Sequence, residues 1–267
     1  MRDGRTLVLR RPFEPELERM RQAELSDDLH HRFIEECGKA GVEPLTTVFS
    51  QSRIPFLASL PWRRIKVASY DCASVPMLRA LVERFDHLFI STGATYDAEL
   101  ADAAHALAGR SFTFLHCVTI YPTPLDALDL ARMEWLRRFT SSVGFSDHTL
   151  VARDGLAGSL AALSLGADVV ERHFTLLPPE KTKDGPVSIG PELLAALVRY
   201  ARAPRADLEA EVRERVGELQ PLLGRAQRAL SPEEELNRDY YRGRFASRQG
   251  GRFVYNWEPL GRDDATE

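Results

Sequence analysis

The sequence predicts an α/β chain of the (β/α)8 TIM-barrel type, short at its N-terminus, and three observations carry that prediction. From residue 27 onward, β-rich runs begin roughly every 20–30 residues with one helical pattern between each pair, the period of successive βα units in a parallel sheet. Thr47, Ser69, Ser91, Thr119, Ser146, His148 and His173 fall just after the C-terminal ends of those runs. A barrel builds its site there from many strands, whereas an open doubly wound sheet uses one crevice. No G-x-G-x-x-G turn follows any run, so the dinucleotide-binding open sheet lacks its fingerprint.

Taken in order, residues 6–10 read as a short seventh strand. Residues 26–40 read as a helix with Ser26 as N-cap and Gly41 as its stop, and Leu29, Phe33, Ile34 and Cys37 form its apolar face. Strands follow at 44–49 and 65–69. Helix 75–85 leads to strand 87–91, helix 97–108 to strand 112–118, helix 125–139 to strand 143–146, and helix 155–164 to strand 168–174; helix 191–203 closes the series. The expected division is a barrel over 1–204 and an extension over 205–267. In the extension, residues 205–220 carry a charged helical pattern and Ser231 caps another helix. The run from Tyr240 to Trp257 mixes arginines and aromatics around Gln249-Gly-Gly, as expected of a hairpin packed on the barrel.

With 44% hydrophobic and 28% charged residues among 267, the chain is neither collagen-like, disordered nor disulfide-stapled. A net charge of −4 argues against general nucleic-acid binding. No run approaches the length of a membrane span, and Met1-Arg-Asp-Gly-Arg lacks the apolar core of a secretion signal. Cys37, Cys72 and Cys117 are an odd number at wide spacing, read as reduced thiols. The expectation is a cytoplasmic protein with neither membrane nor nucleic-acid partners.

Three groups of residues are able to carry chemistry. His148, in Val143-Gly-Phe-Ser-Asp-His-Thr-Leu150, and His173, in Val169-Val-Glu-Arg-His-Phe-Thr175, sit at neighbouring strand ends, where two imidazoles can share one metal ion. The alternative is a pair of structural histidines bonded to backbone carbonyls. Lys66, one of only four lysines, lies in a strand with Ser69 following, and Ser91, Thr47 and Ser146 end other strands. A point charge among hydroxyls suits a phosphate or carboxylate, and a lysine inside a barrel needs a partner. In His116-Cys-Val-Thr-Ile-Tyr-Pro-Thr-Pro124, Cys117 reads as a packing residue, and the proline-rich turn places Tyr121 over the site.

Seven motifs in order over residues 24–203 resemble the sialic acid (N-acetylneuraminate) synthase family: Leu45-Thr-Thr-Val-Phe49, Lys66-Val-Ala-Ser69, Ser91-Thr-Gly93, Leu115-His-Cys117, Tyr121-Pro-Thr-Pro124, Gly144-Phe-Ser-Asp-His-Thr149 and Glu171-Arg-His-Phe-Thr175. The resemblance implies a metal-dependent transferase that condenses phosphoenolpyruvate with an N-acylated hexosamine to a nine-carbon acid, releasing phosphate by C–O cleavage. It implies a divalent ion (manganese first, magnesium or cobalt otherwise), no redox cofactor and a homodimer. By motif, His148 and His173 resemble the metal ligands. Thr47, Lys66, Ser69, Ser91, Thr119 and Ser146 resemble the phosphoenolpyruvate pocket, and Asp71, Tyr121 and Asp184 the sugar site. His148, His173, Lys66 and Asp184 would then be the catalytic set.

The chain departs from the family pattern in five places. The opening strand Ala-Glu-Ile-Gly and the second strand ending Lys-Phe-Gln are not found, and neither is the antifreeze-like C-terminal domain. Thr119 stands where relatives carry Asn, and Lys183-Asp-Gly-Pro-Val-Ser188 differs from the usual Gly-Pro-Asp-His. Two other readings therefore stand beside the synthase: a truncated or split non-catalytic relative acting as a binding or assembly partner, and a barrel lyase or aldolase with a Schiff-base lysine at Lys66.

Overall fold

Six strands pair in sequence order into one all-parallel sheet: β1 (Thr47–Val48), β2 (Arg64–Val67), β3 (His87–Ser91), β4 (Phe112–His116), β5 (Ser142–Asp147) and β6 (Val170–Arg172). The computed structural model describes residues 13–242 and 244–261; the strand expected at 6–10 lies outside them. Around the sheet run α1 (Phe13–Ala23), α2 (Asp27–Lys39), α3 (Ile54–Ala58), α4 (Val75–Val82), α5 (Asp97–Ala106), α6 (Ala131–Leu136), α7 (Val151–Asp154), α8 (Ala157–Ser164) and α9 (Pro191–Arg202). Three further helices, α10 (Arg205–Arg215), α11 (Gln220–Leu223) and α12 (Pro232–Arg242), precede an antiparallel hairpin of β7 (Ala246–Gln249) and β8 (Arg252–Tyr255).

The sheet is curled into a half-barrel. A flat sheet would hold β2 and β6, four strands apart, roughly 19 Å from each other. Instead Lys66 Nζ of β2 lies 3.3 Å from Glu171 Oε2 of β6, so the three strands between them must bend around a common interior. The middle strands are buried on both faces, as parallel strands covered by crossover helices must be. Leu88, Ile90 and Phe114 form one core with Ile65, Met77, Leu81 and Leu136. A smaller core of Leu160, Leu197, Leu208 and Val212 clamps α8, α9 and α10.

Three expectations are corrected by tertiary contacts. The helix expected over 125–139 breaks into a 3-10 turn, Leu125–Ala127, and α6, because Asp129 takes φ +49°. Its carboxylate accepts from the Arg225 backbone N–H at 2.8 Å and pairs with Arg228 at 2.9 Å, and these contacts outweigh helical propensity. Helix α2 is capped as expected, with Ser26 Oγ accepting from Leu29 N. Its apolar face is not core, however: Leu29 and Phe33 are exposed, and only the Ile34 end of the stripe packs on the main cluster. The helix leans on α3 and Trp62 through His30–Phe56 and Phe33–Trp62 ring contacts. Helices α1 and α3 go beyond the expected elements: five of the eleven residues of α1 are charged, and α3 is only five residues long.

The extension is tied to the half-barrel. Gly250 and Gly251 both have positive φ, as a two-residue hairpin turn requires. Gln51 Nε2 donates to the carbonyls of Asn256 and Glu258 at 2.8 Å, Val254 is fully buried, and Phe245 stacks on Phe49 at 4.9 Å. Asn256 Nδ2 in turn donates to the buried Asp71 Oδ1 at 2.8 Å.

Burial raises the Asp71 carboxyl from 3.8 to about 6, against the opposing hydrogen bond from Asn256. The folded state therefore binds this proton more tightly than the unfolded chain, so stability falls as pH rises from about 4 through about 6. Asp71→Asn is expected to flatten that slope and to stabilise the protein at pH 7.5 by about 2–3 kcal/mol, read by urea denaturation across pH. An unchanged slope in the variant would exclude Asp71 as its source.

Candidate active site

The C-terminal ends of all six strands open into one cavity of about 520 Å³, within the range of small-molecule sites. Sheet register sets its floor, placing Thr47 beside Lys66 and Ser146 beside Glu171. Side chains alternate along a strand, so Ser146 and His148 share one face of the β5 segment, and Glu171 and His173 share one face of β6. Asp147 and Arg172, between them, face the opposite way. There Arg172 pairs with Asp147, both essentially without solvent exposure. Asp147 also accepts from Ser159 Oγ at 2.6 Å and Thr149 N at 2.9 Å, while Arg172 donates to Thr149 Oγ1 at 2.9 Å. Only glycine fits at 158, where a Cβ would come within 2.9 Å of Asp147 Oδ2.

One end of the cavity holds an ion pair ringed by hydroxyls. Lys66 Nζ donates to Ser91 Oγ at 2.6 Å and faces Glu171 Oε2 at 3.3 Å, while Ser146 Oγ donates to Glu171 Oε1 at 2.7 Å. Burial by itself would raise the Glu171 carboxyl, but Lys66 and Ser146 outweigh it and hold the group below its ordinary value. Ser69 Oγ accepts from Gly93 N at 3.2 Å and lies 3.2 Å from Cys117 Sγ. Burial pushes the Cys117 thiol up, away from a thiolate nucleophile.

The histidines lie next to this cluster. Their ring centroids are 5.3 Å apart, and the Tyr121 ring sits 4.1 Å from His148 and 5.9 Å from His173. His148 Nδ1 lies 3.2 Å from the Val118 carbonyl, which makes Nδ1 the donor and leaves Nε2 without a proton. Burial, and then His173, push His148 down to about 4; burial also lowers His173, against Asp184, whose Oδ2 is 3.9 Å from Nδ1. Two neutral imidazoles, one with its outer nitrogen fixed by a carbonyl, are a donor set that fits a divalent ion. Among the described residues no group of three or more His, Cys, Asp or Glu is arranged for a metal.

Of the residues expected from sequence, Thr47, Lys66, Ser69, Ser91, Tyr121, Ser146, His148, His173 and Asp184 all line this cavity. Asp71 does not: the 3-10 turn Ser69–Asp71 carries it behind the wall to Asn256. Thr119 is buried outside the lining, and its Oγ1 has no hydrogen-bond partner. Glu171 is the lining residue that strand-end reasoning leaves out, although its two-residue spacing from His173 and the need of Lys66 for a counter-charge both point to it. Glu233, Asn237 and Tyr241 of α12 also line the cavity and carry no sequence signal of their own.

The NeuB family model matches residues 10–212. The chain belongs to the NeuB family. Among its relatives, N,N'-diacetyllegionaminic acid synthase of Legionella pneumophila is 33% identical over 69% of this chain and 53% of its own length. The Campylobacter jejuni enzyme of the same name is 31% identical over 71% and 57%, and Drosophila melanogaster N-acetylneuraminate-9-phosphate synthase is 31% identical over 65% and 47%. The chain thus spans about half the length of the curated relatives it matches. Bacillus subtilis SpsE, a spore coat polysaccharide biosynthesis protein, shares the fold with a TM-score of 0.68 at 23% identity, over 80% of this chain and 60% of that one. The N-acetylneuraminic acid synthetase of Leptospira borgpetersenii, solved with citrate, gives 0.65 at 22%, over 86% and 75%. The half-barrel is therefore the TIM-type architecture of this NeuB-family fold. Among the described residues, no helix is long and apolar enough to cross a membrane.

Asp147→Asn leaves Arg172 buried without its counter-charge and is expected to lose about 3–5 kcal/mol of stability. The exposed pair Arg64–Glu43 provides the contrast, with Glu43→Gln costing less than about 1 kcal/mol. Denaturant titration of both variants measures this, and equal losses would refute the role assigned to the Asp147–Arg172 pair.

Proposed function

We propose that this NeuB-family chain condenses phosphoenolpyruvate with an N-acylated hexosamine, of the N-acetylmannosamine kind, into a nine-carbon sialic-type acid and releases phosphate by C–O cleavage. The observation that carries the reading is one cavity with Lys66, Ser69, Ser91 and Ser146 at one end and His148, His173, Tyr121 and Asp184 beside it. Lys66 and the hydroxyls bind the phosphate and carboxylate of phosphoenolpyruvate and are preorganised for the charge that grows on departing phosphate. Tyr121 and Asp184 orient the open-chain sugar so that its aldehyde carbon meets C3 of phosphoenolpyruvate; the C2=C3 π pair forms the new C–C bond, the C=O π pair moves to the aldehyde oxygen, which takes a proton from solvent, and C2 is left cationic. Water adds at C2 and Glu171, the carboxylate kept ionised by Lys66, takes one of its protons; the C2–O bond to phosphate then breaks as the remaining hydroxyl becomes the C2 ketone and its proton leaves with the phosphate. His148 and His173 would hold a divalent ion, manganese first, whose chemistry when bound is Lewis-acid polarisation of the aldehyde oxygen.

A second reading is favoured by one observation. Among the described residues, β1 and β6 each pair on one side only, and open strand edges invite another chain. Under it the protein is a non-catalytic binding or assembly partner.

Phosphate release with phosphoenolpyruvate, manganese and a panel of N-acylhexosamines tests the synthase. We expect sugar-dependent release that His173→Ala abolishes without unfolding the chain. Lys66→Met is expected to lower kcat/KM for phosphoenolpyruvate by about a hundredfold or more. Silence of the wild-type protein across the panel, with folding intact, would favour the second reading.

A further inference from the structure

Helix α12 lies outside the residues matched by the NeuB family model, yet it forms part of the cavity wall. Glu233, Asn237 and Tyr241 recur every four residues, so they fall on one helix face, and that face looks into the cavity. The neighbouring face is anchored. Arg238 donates to the Ala94 carbonyl at 2.7 Å and to Glu99 at 2.5 Å, and Tyr96 Oη donates to Glu235 at 2.7 Å. Glu234 is buried against Arg228 at 2.5 Å and reaches back to the Ser231 N–H, while Ser231 Oγ accepts from Glu234 N, a reciprocal cap. On the cavity face Asn237 Nδ2 donates to the Thr119 carbonyl at 2.8 Å, and the Tyr241 ring stacks on Tyr70 at 4.2 Å. The helix is thus set in position before any ligand arrives.

We infer that α12 is this chain's acceptor-recognition element, with Glu233, Asn237 and Tyr241 reading a neutral, hydroxyl-bearing part of the sugar; the inference rests on the synthase reading. Two physical arguments support it. The stripe presents a carboxylate, an amide and a phenol, which together accept and donate to hydroxyl groups, and the Tyr70–Tyr241 pair offers an aromatic surface beside them. Its only formal charge is negative and stands with Asp184, while the cations at that edge, Lys183, Arg19 and Arg244, all converge on Glu16, and Arg244 lies 5.3 Å from the Tyr241 ring centroid. Charges therefore balance at that edge, and its polar stripe suits hydroxyl groups, whereas Lys66 and its neighbouring hydroxyls suit phosphoenolpyruvate. Glu233, the stripe's own carboxylate, disfavours a phosphate placed against it, so an unphosphorylated acceptor is favoured over its 6-phosphate.

Calorimetric titration with N-acetylmannosamine, its 6-phosphate and phosphoenolpyruvate, each against the full chain with manganese, tests the inference alongside steady-state kinetics. Glu233→Gln and Asn237→Ala are each expected to weaken N-acetylmannosamine binding by about tenfold, with phosphoenolpyruvate binding changed less than about twofold. Wild-type protein is expected to prefer the neutral sugar to the phosphate, and Glu233→Gln to narrow that preference, a change that mere loosening of the helix would not produce. Asp239→Asn, on an exposed part of α12, serves as the folded control and is expected to match wild type. Equal weakening of both substrates, an unaltered preference in Glu233→Gln, or a wild-type preference for the 6-phosphate would each overturn the inference. A protein that binds the sugar through α12 but releases no phosphate would refute the synthase reading and leave this one standing; no sugar binding at all would refute both.

Discussion

The ion pair between Lys66 and Glu171 is the interaction on which the site depends. It joins two strands that are not neighbours, and its 3.3 Å length is possible only because the sheet between them curls. A lysine on the inner face of a barrel is tolerated when an anion meets it, and a glutamate among histidines stays ionised when a cation sits beside it. Each group therefore justifies the other. Ser91 on the lysine and Ser146 on the glutamate complete their hydrogen bonding and extend the polar cluster onto β3 and β5. The result is a cavity floor that carries charge without burying it unpaired.

The histidines owe their position to the opposite face of the same strands. Asp147 and Arg172 each immediately precede a histidine, and their buried pairing locks the ends of β5 and β6 to each other and to α8. Alternation of side chains then turns His148 and His173 inward. Burial keeps both imidazoles neutral near physiological pH, while Tyr121 covers them from above. Charge is thus divided by face: a buried Asp147–Arg172 pair on the outer side of the half-barrel, and two neutral imidazoles beside the Lys66–Glu171 pair inside it.

The C-terminal extension contributes walls as well as ballast. Its hairpin reaches Gln51 and Asp71 at one side of the cavity, and α12 is riveted to the β3–α5 loop on another. Edge strands β1 and β6 are only two and three residues long among the described residues, and the hairpin braces the end of β1 through Phe49, whose carbonyl accepts from Asn256 Nδ2 at 3.0 Å. The core gathers on the middle strands, covered on both faces, whereas the site draws on the ends of all six.

The sequence by itself determined the βα alternation, the class of barrel and the set of strand-end residues, because hydrophobic period and local capping are short-range properties. His148, His173, Lys66 and the hydroxyls were legible for that reason: each lies at a fixed offset from a strand. Partners that meet across the interior were not. The contact of Glu171 with Lys66 joins residues more than a hundred positions apart, and only the curl of the sheet brings them together. The same reason explains the exposed stripe of α2, the break at Asp129, the withdrawal of Asp71 behind the wall and the turn of α12 toward the cavity. Each of those was decided by which distant side chain offered a charge, a hydrogen bond or a surface to cover, and no local pattern encodes that choice.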